Sequence, residues 1–410
     1  MSWRYCLVFV FIAFCAKVSL ACTTAVVSGK YTKDGRPLLW KLRDTDTEDN
    51  KVVYLLDGEL KGIGLINSND EDKEQVWAGC NESGFSIMNS ASFNLRNNDT
   101  ITYRDREGFL MKEALLVCKT LQDFETFLNE YPKPMGIEAN FGVIDAEGGA
   151  AYYETNDYGY VKFDANDKKF APNGYIIRSN YSYTGKENKG YGFIRYATTE
   201  ELFYTAAGSN QIDLDFFIKD LSRSQYNSLT KENLFQNLPE SAEFTSYKNN
   251  QDCICRKGTT NSIVFQGVRK GEDAALTTMW TILGNPLSSV AIPVFNLTDV
   301  SLPSVITADG DENAYLCDLS LKLLEKMYPI SRGSGASYIN FSLVANQEDN
   351  GIYQKLIPYE NKIIRKGQYF IERWRKEGVI DKNELAKYYK WIDKLVVGRL
   401  TKVVKKNLLK

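Results

Sequence analysis

A cysteine, Cys22, stands directly after Ser19-Leu20-Ala21 and before Thr23-Thr24. Small residues at the first and third positions of that triplet make an export cleavage site, and cutting after Ala21 leaves Cys22 as the first residue of the mature chain. A thiol and a free α-amino group on one residue form a self-contained catalytic pair. The ordinary pKa of the amine is about 7.7–8.0 and that of the thiol about 8.5. Near neutral pH the amine takes the thiol proton, directly or through a water, and later returns it to a leaving amine. The chain has no histidine, which removes Ser-His-Asp and Cys-His triads and zinc sites built on imidazole. A base must be a carboxylate, a lysine or the α-amino group. Two other readings of a cysteine at this junction are a lipoprotein acceptor and a structural thiol. Lipoprotein signals carry a leucine-like residue three before the cysteine, and that position is Ser19.

The elements around the cysteine must bring it polar partners. Thr23–Val27 reads as a strand, Lys33-Asp34-Gly35-Arg36 as a turn, and Leu38–Asp44 as a returning strand that ends in charge. Such a hairpin sets Lys41, Arg43 and Asp44 beside Cys22. A carboxylate there holds or orients the amine, and a cation favours the thiolate. The plainer reading is an exposed, charged strand end. Further strands are expected at Val52–Leu56, Phe85–Ala91, Asn140–Asp145, Ala151–Glu154, Tyr175–Ser179, Asn261–Gln266 and Leu276–Leu283, with helices at Phe109–Leu128, Thr199–Ala207 and Leu214–Leu221. Hairpin-like strand pairs with a few helices indicate an α+β layered fold.

Composition bounds the rest. The 410 residues are 43% hydrophobic, ample for a packed core, and the net charge of -2 gives no sign of a polyanion partner. Arg4 and the apolar run from Leu7 to Ala16 complete a secretory signal over residues 1–21, too short to span a bilayer. An exported protein without an integral membrane span is therefore expected, periplasmic or extracellular. Six cysteines remain after cleavage: Cys22, Cys80, Cys118, Cys253, Cys255 and Cys317. Export permits disulfides, but spacing does not fix a pairing. Beyond residue 300 the pattern turns helical: Asn313–Met327 forms one helix, and Asp381 with Glu384 resembles a capping box opening a last helix striped by Leu385, Tyr388, Ile392 and Leu395. Lysines crowd this end. A docked helix with a solvated outer face is favoured over a membrane-surface helix. The division expected is residues 22–300 as a catalytic domain and 301–410 as a helical extension packed on it.

The mature start resembles the cysteine N-terminal-nucleophile (Ntn) hydrolases of the choloylglycine hydrolase, acid ceramidase and penicillin acyltransferase group. Their mature chains open with Cys-Thr or a near variant, continue through a Lys/Asp-Gly turn, and carry a basic residue with an Asp three positions on. Cys22-Thr23, Asp34-Gly35, Lys41 and Asp44 follow that order, with Lys41 where the group usually has arginine and Arg43 next to it. Cys80-Asn81-Glu82-Ser83-Gly84-Phe85 resembles the turn before a strand that supplies part of the oxyanion hole, which implies a donor at Asn89 or at a backbone amide near Ser90-Ala91. Gly174-Tyr175-Ile176-Ile177-Arg178-Ser179-Asn180 resembles an apolar strand followed by an asparagine that donates to the oxyanion; such a donor contributes about 3–4 kcal/mol to transition-state stabilisation. Asn180 also heads a glycosylation sequon, as do Asn81, Asn98, Asn296 and Asn340. Arg195 falls where the bile-salt enzymes of the group carry an active-site arginine at a helix start; a surface arginine is the alternative.

The resemblance runs over about residues 22–290. It implies a four-layer αββα Ntn-hydrolase sandwich with Cys22 at the end of a central strand, and a small-molecule linear amide as substrate. It implies hydrolysis through a thioester on Cys22, no cofactor and no metal. An acyltransferase on the same site and a non-catalytic lipoprotein are the alternatives.

Overall fold

A computed structural model describes residues 21–95 and 105–408. The leader up to Leu20, with Arg4, Cys6 and Cys15, and the Asn98 sequon lie outside the described residues. In chain order the core elements are β1 (Thr23–Val27), β2 (Leu38–Asp44), β3 (Asn50–Leu55), β4 (Gly62–Asn67), β5 (Ala78–Asn81), β6 (Ser86–Ala91), α1 (Glu107–Val117), α2 (Leu121–Glu130), β7 (Ala139–Ile144), β8 (Ala150–Thr155), β9 (Tyr160–Asp164), β10 (Tyr175–Arg178), α3 (Phe193–Gly208), β11 (Thr259–Gln266), β12 (Thr278–Leu283) and β13 (Ile292–Phe295). The strands make two antiparallel sheets, one ordered β10-β1-β2-β11-β12-β13 and the other running from β3 to β9 in sequence.

The sheets pack face to face, β1 and β2 lying across β6, β7 and β8. The approach is tight enough to need Gly142, where a Cβ would stand 2.9 Å from Leu39 and 3.0 Å from Val26. All residues of β1 and β2 are buried, as strands covered on both faces must be. On the outer side of the first sheet, Trp40 meets Phe217 edge-on and α3 packs on β10. On the outer side of the second, α1 lies over β4, β5 and β6, and Phe124 of α2 packs against Phe85, Phe141 and Tyr153. The architecture is thus the four-layer αββα sandwich.

The single helix expected over Phe109–Leu128 is two. Thr120 interrupts it because its hydroxyl accepts from Asp123 N–H while the Asp123 carboxylate returns to the Thr120 N–H, a complete capping box that starts α2 afresh. Residues beyond β13 form α4 (Tyr315–Met327), α5 (Ile352–Glu377), α6 (Lys382–Leu395) and α7 (Thr401–Leu408), the last two joined through a π-helical turn at Val396–Leu400. Asp381 caps α6, but Glu384 does not return the bond. Its carboxylate is taken by Trp374 Nε1 and Arg373, so the expected capping box is half made. These helices share one apolar cluster with the first sheet. A buried ion pair fastens α5: Arg223 Nη2 to Glu360 Oε1 at 2.6 Å, with the Ala291 N–H donating to the same oxygen.

Candidate active site

β1 and β2 pair with Thr24 opposite Lys41 and Thr23 opposite Leu42. Side chains alternate along strands, so Thr24, Lys41 and Arg43 share the face toward the second sheet. Cys22, two residues before Thr24, is set on that same face. It is buried, within electrostatic reach of both Lys41 and Arg43. All six described cysteines are free thiols. Burial pushes the thiols of Cys80, Cys118, Cys253 and Cys317 up to about 12, and that of Cys255 higher still, which leaves these five inert.

The two cations beside Cys22 are held by neutral partners. Lys41 Nζ donates to Trp77 O at 2.8 Å and to Asn89 Oδ1 at 2.6 Å. Arg43 donates to Asn50 Oδ1 and Asn67 Oδ1 and lies 4.7 Å from the Trp77 ring centre. Burial draws the Lys41 ammonium down to about 7, partly opposed by Cys22, and draws Arg43 to about 10. Because the oxygen of Asn89 is taken by Lys41, its Nδ2 is the end left to donate. Asn89 and Lys41 therefore act as one unit.

Arg195 joins the cysteine strand to Asn180. Its Nη1 donates to Cys22 O at 2.7 Å and to Thr23 Oγ1 at 2.6 Å, and its Nη2 donates to Asn180 Oδ1 at 3.0 Å. Arg195 is buried, which corrects the surface alternative. Asn180 Nδ2 donates to Ala91 O at 2.8 Å, and one amide N–H is left for a ligand. Asn180 is fully buried, which excludes a glycan on it in this fold. The sequons at Asn81, Asn296 and Asn340 are closed for the same reason.

Asp44 faces the opposite side from Lys41. Its Oδ1 accepts from Thr259 Oγ1 at 2.6 Å and its Oδ2 from Arg256 Nη2 at 2.8 Å, while its backbone oxygen accepts the Ala21 N–H. Arg256 was not anticipated from the sequence. The only signal is a basic residue just before the Thr259 strand, and its meaning depends on Thr259 pairing with Asp44. A cavity of about 930 Å³ opens here, lined by Ala21, Asp44, Arg195, Arg256 and the 190–194 loop.

A buried carboxylate fixes the loop that carries Asn180. Glu154 accepts four hydrogen bonds: from Arg178 Nε at 2.8 Å, Tyr183 N at 2.9 Å, Thr184 N at 2.8 Å and Thr184 Oγ1 at 2.6 Å. The Arg178 guanidinium stacks 4.1 Å from the Tyr183 ring. Glu154→Gln strands Arg178 without its counter-charge and turns an N–H₂ toward backbone donors. A loss of about 3 kcal/mol in unfolding free energy is expected, measured by urea titration at constant m-value.

No family model matches the sequence, and no curated protein matches it. Among solved structures the chain is similar to a Caenorhabditis elegans N-acylethanolamine-hydrolyzing acid amidase ortholog, at 11% identity over 47% of this chain and 86% of that one, TM-score 0.35. It is also similar to a variant of the conjugated bile acid hydrolase from Clostridium perfringens, at 13% identity over 67% and 92%, TM-score 0.38. A third is the penicillin V acylase from Agrobacterium tumefaciens, at 10% identity over 68% and 87%, TM-score 0.35.

Proposed function

We propose that the mature protein is an exported hydrolase of linear, non-peptide amides with Cys22 as its nucleophile. The observation that carries this reading is the Arg195 bridge, which fixes the Cys22 main chain and the Asn180 carboxamide to one guanidinium in a chain without histidine. The Cys22 amine takes the thiol proton, and the sulfur attacks the amide carbonyl. Asn180 Nδ2 and Asn89 Nδ2 donate to the oxyanion. The amine then protonates the leaving nitrogen as the C–N bond breaks, leaving a thioester. Water, deprotonated by the same amine, releases the acid and restores the thiol.

In the chain described here the Cys22 nitrogen is bonded to Ala21, and an amide nitrogen is no base. The reading requires cleavage after Ala21. Ala21 is buried with its N–H on Asp44 O, so the residue that cleavage removes occupies the space beside Asp44. The freed ammonium then faces Asp44, whose carboxylate is itself held in place by Arg256 and Thr259. Lys41 and Arg43 hold the thiolate from the other side.

Lys41 gives the mechanism a pH signature. Its charge is present below about 7 and lost above it, so its support of the thiolate fades as pH rises through that value. Arginine keeps its charge throughout. In Lys41→Arg the component of kcat/KM that declines near pH 7 disappears. If the profile keeps that component, it belongs to another group.

The experiment for the proposal is an acid quench of the mature protein during turnover of N-acyl amides, followed by intact and peptide mass analysis. An acyl group on Cys22 is expected. Turnover with the acyl group on any other residue overturns the reading. Added amine in the same reaction separates hydrolysis from acyl transfer by the product formed.

A further inference from the structure

The charge of this chain is unevenly divided. Residues 351–410 hold sixteen lysines and arginines against six acids, while the first 350 hold thirty-four against forty-six. The near-neutral total therefore conceals a strongly basic end on an acidic body, an asymmetry associated with binding to a charged surface.

The fold determines where that charge goes. In α6 and α7 the apolar stripe of Leu385, Tyr388, Ile392, Val396, Leu400 and Val404 is buried against the core. The stripe is thus spent on docking. The opposite side carries Lys387, Lys390, Lys394, Lys402, Lys405 and Lys406, all exposed. The ion pairs of this region engage Arg373, Arg375 and Lys382 instead, and none of the six lysines pairs with an acid among the described residues. Lys387, Lys390 and Lys394 follow i, i+3, i+7 spacing and so line one side of α6. Val397, half exposed between the two lysine groups, offers an apolar side chain that a headgroup layer accepts.

We infer that the outer lysine face of α6 and α7 docks the protein electrostatically on an anionic lipid bilayer. The contact is peripheral: the apolar side of these helices is committed to the core, and no helix among the described residues is long and apolar enough to cross a membrane. Lysines act as point charges on a diffuse negative surface, whereas arginine is the choice for bidentate reading of individual phosphates, as in nucleic-acid recognition. The row lies on the exposed outer side of two helices, which suits a bilayer.

The test is cosedimentation of the purified full-length mature protein with phosphatidylcholine vesicles, with and without about a third phosphatidylglycerol, at low and high salt. Binding to the anionic vesicles alone, lost at high salt, is expected. The triple reversal Lys390→Glu, Lys394→Glu, Lys405→Glu is expected to weaken it by at least about a hundredfold, since each lysine near such a surface contributes roughly fivefold. Circular dichroism melting verifies that the variant is folded; should it not be, the neutral triple replacement by Gln is measured in its place. Equal binding to neutral vesicles, wild-type binding by the folded variant, or tighter binding to duplex DNA than to the anionic vesicles overturns the inference.

Discussion

Cys22→Ala abolishes amide turnover, with kcat/KM falling by at least about a thousandfold. Loss of a nucleophile removes the covalent route altogether, and what survives is the binding and oxyanion contribution. The substitution is small, so the fold is retained. Cys22 donates no side-chain hydrogen bond to a described residue, and the Arg195 contact is to its backbone oxygen. An unchanged thermal midpoint alongside lost activity is the expected pair of readouts. Cys22→Ser keeps the shape and the amine but replaces the thiol by a far less acidic hydroxyl, and it is expected to be nearly as inactive. Residual activity near wild type in either variant moves the chemistry to another residue.

Asn180→Ala lowers kcat by about a hundred- to a thousandfold with little change in KM, as expected when a donor acts on charge that develops only in the transition state. The same substitution leaves Ala91 O and Arg195 Nη2 without their partner, and about 1–3 kcal/mol of stability is lost as well. The two effects separate by measurement. A structural role alone would lower the unfolding midpoint and leave kcat of the folded fraction intact. A rise in KM at constant kcat would assign Asn180 to substrate binding and contradict its role at the oxyanion.

Much of this arrangement is legible in the sequence. The β1–β2 hairpin follows from the β-branched run Thr23–Val27 before an Asp-Gly turn and the apolar Leu38–Leu42 after it, and Gly35 adopts the positive φ of 76° that such a turn needs. Strand alternation then sets Lys41 and Arg43 on one face and Asp44 on the other. What alternation did not reveal is the consequence. Asp44 does not share a pocket wall with Lys41; it reaches Arg256 and Thr259 across the neighbouring strand β11, a partner more than two hundred residues away in sequence. Glu154 is equally invisible as a positioning residue, because one of its four donors sits on strand β10 and the other three on the loop beyond it, all brought near only by tertiary packing. The short strand β5, Ala78–Asn81, has little β-propensity of its own and exists through its neighbours in the sheet. Helix α5 was hidden by Pro358, which lies inside it and reads locally as a breaker.

The C-terminal lysines illustrate the opposite case. The stripe and the charge stand together in the sequence, where a docked helix and a membrane-facing one read as alternatives. Packing removes the opposition, since the stripe faces the core and the lysines face outward on the same helices.

The most direct test of the central claim is the intact mass of the mature protein recovered from its own export route. The account predicts a chain beginning at Cys22 with a free amine and an unmodified thiol, competent to take an acyl group from an amide. A mass carrying lipid on Cys22, or a chain beginning at any other residue, would remove the catalytic pair and contradict the mechanism.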